Sequence, residues 1–201
     1  MPARDRTAST RSAREAEFDA LYTRSPDPWA METSAYERAK YDATLAALPP
    51  GRFACGLEIG CSIGVLTERL AGRCERLTAF DVSTLALDRA RRRVPDVRFV
   101  RAEVPRDWLA VAGDGPFDLV VVSEVLYFLD AAEVAALARL IARDLAPGGT
   151  VLAVNWTGEN DRPLDGDAAA ELFGREAARH GLACTHSRRE ALYRLEVYRA
   201  L

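Results

Sequence analysis

Beyond Gly51 the apolar positions come in short runs separated by stretches with a helical period. The runs at about 54–59 (ACGLEI), 76–80 (RLTAF), 97–101 (VRFVR), 117–122 (FDLVVV) and 150–155 (TVLAVN) predict buried strands. Helices are predicted between them at about 64–72, 83–93 and 131–145, while the link at 103–115 has room for a helical turn or two. Such alternation implies an α/β, doubly wound, mostly parallel sheet, because parallel neighbours need crossovers of a dozen or so residues. After the polar loop GENDRPLDGD come a helix at about 167–180 and two closely joined strands at about 182–188 and 191–199, an antiparallel pair ending a sheet of seven strands. Ahead of the Pro49-Pro50-Gly51 stop, helices are expected at 12–21 and 34–48, divided by the proline-bearing loop SPDPWAM. Residues 1–12 are small, polar and charged and are expected to be a disordered tail, leaving 13–201 as one domain with a helical part (13–50) and a core (51–201).

Composition narrows the partners. At 201 residues and 49% hydrophobic the chain supports one substantial core. Its 27 basic and 30 acidic residues are interspersed, so no nucleic-acid footprint is present. Arg89, Arg91, Arg92 and Arg93 read as the solvated face of one helix. Four cysteines without a C-x-x-C pair, beside two histidines, are too thin for a metal site; buried reduced thiols in a cytoplasmic protein are expected. No apolar run approaches the ~20 residues of a membrane span, and no long edge or heptad announces an oligomer, so a monomer and a dimer both stay open.

The chemistry starts at LEIGCSIGV, Leu57 to Val65. A strand running into a glycine turn and then a helix lets a ligand approach backbone N–H groups, at the edge where doubly wound sheets bind ligands. Gly60 and Gly64 supply the turn, but Gly60-Cys61-Ser62-Ile63-Gly64 departs from the G-x-G-x-x-G spacing of dinucleotide folds. Glu58 stands at the tip of the first strand, where it would repel a pyrophosphate and attract a cation. Asp81 closes the second strand, placed to accept hydrogen bonds from ribose hydroxyls. Together they ask for a nucleoside bearing a positive, phosphate-free group, a description that S-adenosylmethionine meets.

E-I-G-C-S-I-G, F-D-V-S, F-D-L-V-V-V-S-E-V-L-Y and L-A-P-G-G-T-V-L together resemble the motif succession of class I SAM-dependent methyltransferases over about 53–156. D-P-W-x-x-E-T-S-x-Y-E-x-x-K-Y, from Asp27 to Tyr41, is similar to the nodulation protein S branch. The resemblance implies a Rossmann-like methyltransferase fold with an antiparallel seventh strand and an N-terminal helical lid. It implies S-adenosyl-L-methionine as cofactor and a small-molecule acceptor, an amino sugar or oligosaccharide amine methylated on nitrogen. An O-methyltransferase of a hydroxylated metabolite and a non-catalytic nucleoside-binding module remain alternatives, since a fold does not fix a function.

Carried over by position, Glu58, Gly60, Cys61, Ser62 and Gly64 border the methionine part of the cofactor, although many relatives have glycine where Ser62 stands. Asp81 with Val82 and Ser83 serves the ribose and adenine, Glu103 with Val104 the adenine amino group, and Ser123 the cofactor edge. Tyr36 and Lys40 would meet the cofactor from the second helix; plain packing and a solvated lysine are the alternative. Glu124, assisted by Tyr127, would accept the acceptor's proton or orient it, or else contact the cofactor or cap the following segment. Trp29, Asn155 and Trp156 are the candidate acceptor contacts, Trp156 as a plate for a sugar ring. His180 and His186 fall away from this edge and are left unassigned.

Overall fold

The structure, a computed structural model, describes residues 12–201. The expected tail lies outside the described residues except for Ser12, which is ordered: its hydroxyl accepts from Glu15 N at 3.0 Å and caps the first helix, α1 (Ala13–Arg24). Helix α2 (Ala35–Ala46) is capped in the same way by Ser34 and stops two residues before the expected end.

The core then alternates as β1 (Phe53–Ile59), α3 (Val65–Ala71), β2 (Cys74–Asp81), α4 (Thr84–Arg93), β3 (Arg98–Arg101), the single turn α5 (Leu109–Ala112), β4 (Phe117–Ser123), α6 (Ala131–Asp144) and β5 (Leu145–Trp156). It ends with α7 (Gly166–Arg179), β6 (Leu182–Arg189) and β7 (Tyr193–Ala200). The seven strands are ordered β3-β2-β1-β4-β5-β7-β6, with β7 antiparallel to both of its neighbours and the first five parallel. This is the Rossmann-like methyltransferase arrangement, and its order reverses between β1 and β4, the place where such sheets open a crevice.

The continuous apolar runs follow from burial on both faces. In β4, Val120 and Val122 pack with Leu137 and Ile141 of α6 and Phe173 of α7, whereas Leu119 and Val121 pack with Leu66 and Leu70 of α3 and Tyr41 of α2. Each such side chain contributes about 2 kcal/mol on leaving water. Strand β5 starts five residues before the expected one. Its Pro147-Gly148-Gly149 segment imitates a turn in the sequence, and the strand absorbs it as a bulge, passing from Leu145 opposite Phe117 to Thr150 opposite Leu119 with Gly148 at φ +70°. At the other end of β5, a Cβ on Gly166 would fall 1.7 Å from the Trp156 carbonyl oxygen, so only glycine lets α7 begin there.

Two expectations need correction. Arg89 and Arg93 are not a free solvated face. Arg89 donates to the carbonyls of Tyr22 and Pro26, both at 3.2 Å, and Arg93 donates to Ile63 O at 3.1 Å and pairs with Glu32. These contacts tie the N-terminal segment to α4, while Arg91 and Arg92 are exposed as expected. Cys55, Cys61 and Cys74 are buried, but Cys184 is exposed, because most of edge strand β6 faces solvent.

Candidate functional site

Helices α1 and α2 lie over the C-terminal ends of the parallel strands and enclose a cavity of about 510 Å³, a volume suited to a small molecule. Of the residues singled out from the sequence, Trp29, Tyr36, Lys40, Glu58, Gly60, Cys61, Ser62, Asp81, Val82, Glu103, Val104, Ser123, Glu124, Tyr127 and Trp156 line it. Three do not. Gly64 packs away from it, since a Cβ there would lie 3.1 Å from Ala90 of α4; its glycine serves helix packing at φ +83°. Ser83 is fully buried and caps α4, and Asn155 is buried at 1% exposure outside the lining.

Glu58 and Asp81 end adjacent strands. Glu58 is 1% exposed, and among the described residues its Oε2 makes no well-formed hydrogen bond. Burial pushes its carboxyl up to about 7, against the opposing pull of the Thr67 hydroxyl, because the charged form has left water without full compensation. Asp81 is 8% exposed; Oδ2 accepts from Ser62 N and Oδ1 from Ser83 N, each at 2.9 Å. Burial also raises this carboxyl, to about 6, against the pull of those backbone N–H groups. Each Asp81 oxygen keeps a further acceptor site.

The turn between them holds tight backbone. Gly60 sits at φ +77°, where a Cβ would come within 2.3 Å of Val125 Cγ2. Ser62, at φ +51°, occupies the left-handed region that favours glycine, and its hydroxyl meets that of Tyr22 from α1.

On the far side, Glu124 follows β4 at φ +60° and binds three donors: Lys40 Nζ at 2.7 Å, Tyr127 Oη at 2.8 Å and Trp156 N at 2.8 Å. Lys40, 3% exposed, also donates to Glu37 at 3.0 Å. The two carboxylates outweigh its burial and raise its pKa, so the lysine is an ammonium. Tyr36 packs its ring 5.2 Å from that ammonium and edge-on to Tyr193, with its buried hydroxyl unpartnered among the described residues. Glu103 is held by Arg14 of α1 at 2.8 Å and by Arg106 at 3.1 Å. Trp29 forms the outer wall, edge-on to Tyr22 at 5.8 Å.

Sequence reasoning missed the contribution of α1. Phe18 and Tyr22 line the cavity with Met31, Glu37, Phe128 and Arg162. The signal was present in two aromatics at i and i+4, which share one face of α1. Arg162, from the loop before α7, lies 4.6 Å over the Phe128 ring and pairs with Glu17. His180 and His186 stay outside the lining. Among the described residues no helix is long and apolar enough to cross a membrane.

Comparison with known proteins agrees with this architecture. The Nodulation protein S of Rhizobium tropici is 41% identical over 125 residues, spanning 61% of this chain and 52% of that protein. Nodulation protein S of Bradyrhizobium diazoefficiens is 39% identical over 131 residues, 63% of this chain and 61% of its own. The matched region therefore spans about half to three-fifths of these relatives' length. Among solved structures, N-methyltransferase NodS of Bradyrhizobium japonicum WM9 in complex with S-adenosyl-L-homocysteine superposes with a TM-score of 0.77 at 24% identity, covering 93% of this chain and 98% of that one. A second structure of that enzyme gives a TM-score of 0.68 at 26% identity, covering 84% and 98%. Residues 16–156 match the family described as Nodulation protein S (NodS), which is most of the chain, and the chain belongs to that family.

Proposed function

We propose that the protein is an S-adenosyl-L-methionine-dependent methyltransferase whose acceptor is a small molecule bearing an amine, of the amino-sugar or oligosaccharide kind. The observation that carries this reading is the buried pair of carboxylates at neighbouring strand tips, Glu58 and Asp81, facing one cavity, with Glu58 Oε2 in no well-formed hydrogen bond among the described residues. An unpartnered buried carboxylate oxygen costs free energy until a donor arrives, and an ammonium is the donor that offsets most. The donor set fits the cofactor: Glu58 toward the ammonium, the remaining acceptor sites of Asp81 toward the ribose hydroxyls, and Val82 and Val104 as apolar walls for the adenine. The N-methyltransferase complex named above supports this reading through its fold.

Bound there, the cofactor supplies a methyl group on a cationic sulfonium, open to in-line displacement by a neutral nitrogen. The chain contributes orientation and exclusion of water. Phe18, Trp29 and Phe128 shield the cavity from above, making α1, α2 and the loop between them a lid. Glu124 holds Tyr127 and Lys40 in place, and its carboxylate, already occupied by three donors, serves to orient groups facing the acceptor. Glu37 and Glu124, with the Lys40 ammonium between them, leave the acceptor side one net negative charge that favours the approach of an amine, which gives up its ammonium proton to solvent before the neutral nitrogen displaces the thioether. Trp156 offers a flat face to a sugar ring.

Calorimetry with S-adenosylhomocysteine and with NAD tests the cofactor, and binding of the first alone is expected. A mass-spectrometric screen of glucosamine oligomers beside phenolic acceptors tests the substrate. A gain of one CH₂ on the amine is expected; methylation confined to hydroxyls would replace the reading with an O-methyltransferase.

A further inference from the structure

The hydrogen bonds around Asp81 extend one step beyond it, to α1. The two residues that donate backbone N–H groups to its carboxylate, Ser62 to Oδ2 and Ser83 to Oδ1, each carry a hydroxyl bound by that helix. Tyr22 Oη meets Ser62 Oγ, and Ser83 Oγ donates to Asp19 Oδ1 while accepting from Ala86 N. Asp19 and Tyr22 stand three residues apart and so share one helical face. Both are buried, Tyr22 at 1% exposure, and Arg89 fixes Tyr22 further by its bond to the Tyr22 carbonyl and its position 5.8 Å over the ring.

We propose that Asp19 and Tyr22 are positioning residues for the cofactor: they aim the Asp81 carboxylate by clamping the hydroxyls of the two serines that hold it. The inference rests on the cofactor reading above and deepens it by assigning α1 a role inside the ribose site. It also accounts for a serine at a left-handed position, φ +51°, that favours glycine. A non-glycine residue is disfavoured in that conformation, and the hydroxyl contact to Tyr22 offsets the cost. Without that contact the turn would relax, taking Ser62 N away from Asp81 Oδ2.

The test uses Tyr22→Phe and Ser62→Ala, each removing one hydroxyl, with Ser62→Gly as the variant that removes the hydroxyl and the backbone cost together. S-adenosylhomocysteine affinity is measured by calorimetry, and amide exchange of residues 13–24 is followed with and without that ligand. One buried neutral hydrogen bond predicts about a fivefold loss of affinity for Tyr22→Phe and for Ser62→Ala, a smaller loss for Ser62→Gly, and faster exchange in α1. The double variant Tyr22→Phe/Ser62→Ala is expected to lose no more than either single variant, since both remove one contact. With saturating cofactor, kcat is expected to stay within about twofold of the parent while KM for the cofactor rises. If the parent binds and both single variants bind equally well, the clamp is refuted while the cofactor reading stands; additive losses, or faster α1 exchange without a change in affinity, refute it too. A parent protein indifferent to S-adenosylhomocysteine overturns the cofactor reading and the clamp with it.

Discussion

Replacing Glu58 by glutamine separates the energetic cost of the site from its use. Burial raises the Glu58 carboxyl from an ordinary value near 4.5 to about 7. The folded protein therefore holds this proton to higher pH than the unfolded chain does. Stability from this group is fully present below about pH 4.5 and is lost as the pH rises through about 7. A shift of that size corresponds to about 3 kcal/mol for a fully buried group. About 2.5 kcal/mol of this falls between pH 5 and pH 8, so at roughly 2–4 °C per kcal/mol for a chain of this length the parent's Tm should fall by roughly 5–10 °C more than that of Glu58→Gln over that window. Comparing the two pH slopes cancels the fixed cost of burying the amide. The ligand responds in the opposite sense, because binding an ammonium favours the ionised carboxylate. S-adenosylhomocysteine affinity should rise about eightfold between pH 6 and pH 7.5 from Glu58, and about twofold more from Asp81, whose carboxyl is raised to about 6. In Glu58→Gln, affinity should fall at least a hundredfold, since a buried charge pair is lost. Scanning calorimetry and titration calorimetry supply both readings. Parallel Tm profiles for parent and variant, with ligand affinity unmoved by pH or by the substitution, would refute the reasoning.

Two other perturbations address the rest of the cavity. Glu124→Gln keeps the shape but weakens the grip on Lys40 and Tyr127, so kcat should drop about tenfold or more with cofactor affinity nearly unchanged; full kcat in steady-state assays would remove any role for this carboxylate in transfer. Gly60→Ala places a Cβ within 2.3 Å of Val125 at φ +77°, and should cost about 2 kcal/mol or more in urea unfolding together with most of the cofactor affinity.

The sequence discloses what depends on period and spacing. The strands of the core, Gly60 and the two strand-tip acids stand within short stretches whose geometry is local, and each lies where the pattern puts it. What escapes is set by distant partners. Gly64 shares a motif with Gly60, yet its reason is Ala90 of α4. The first strand-like residues of β5 are disguised by Pro147, Gly148 and Gly149, and only pairing with β4 makes them extended. Arg89 and Arg93 look solvated on a helical wheel because their acceptors are carbonyls of Tyr22, Pro26 and Ile63, which no side-chain pattern displays. The same holds for Asp19 and Tyr22, whose partners Ser83 and Ser62 lie dozens of residues away.

The place of β7 between β5 and β6 has a consequence for synthesis. Strand β6 leaves the ribosome first but among the described residues pairs with β7 alone, so until residues 193–200 emerge the chain carries an unpaired strand and an open flank on β5. The hydrophobic layer that includes Tyr41 and Leu66 also waits for Tyr193, Leu195 and Val197. The cavity-lining strand tips can thus be spelled out early, yet the sheet closes only when residues 193–200 enter the gap, and until then β6 and the flank of β5 offer open edges to other chains.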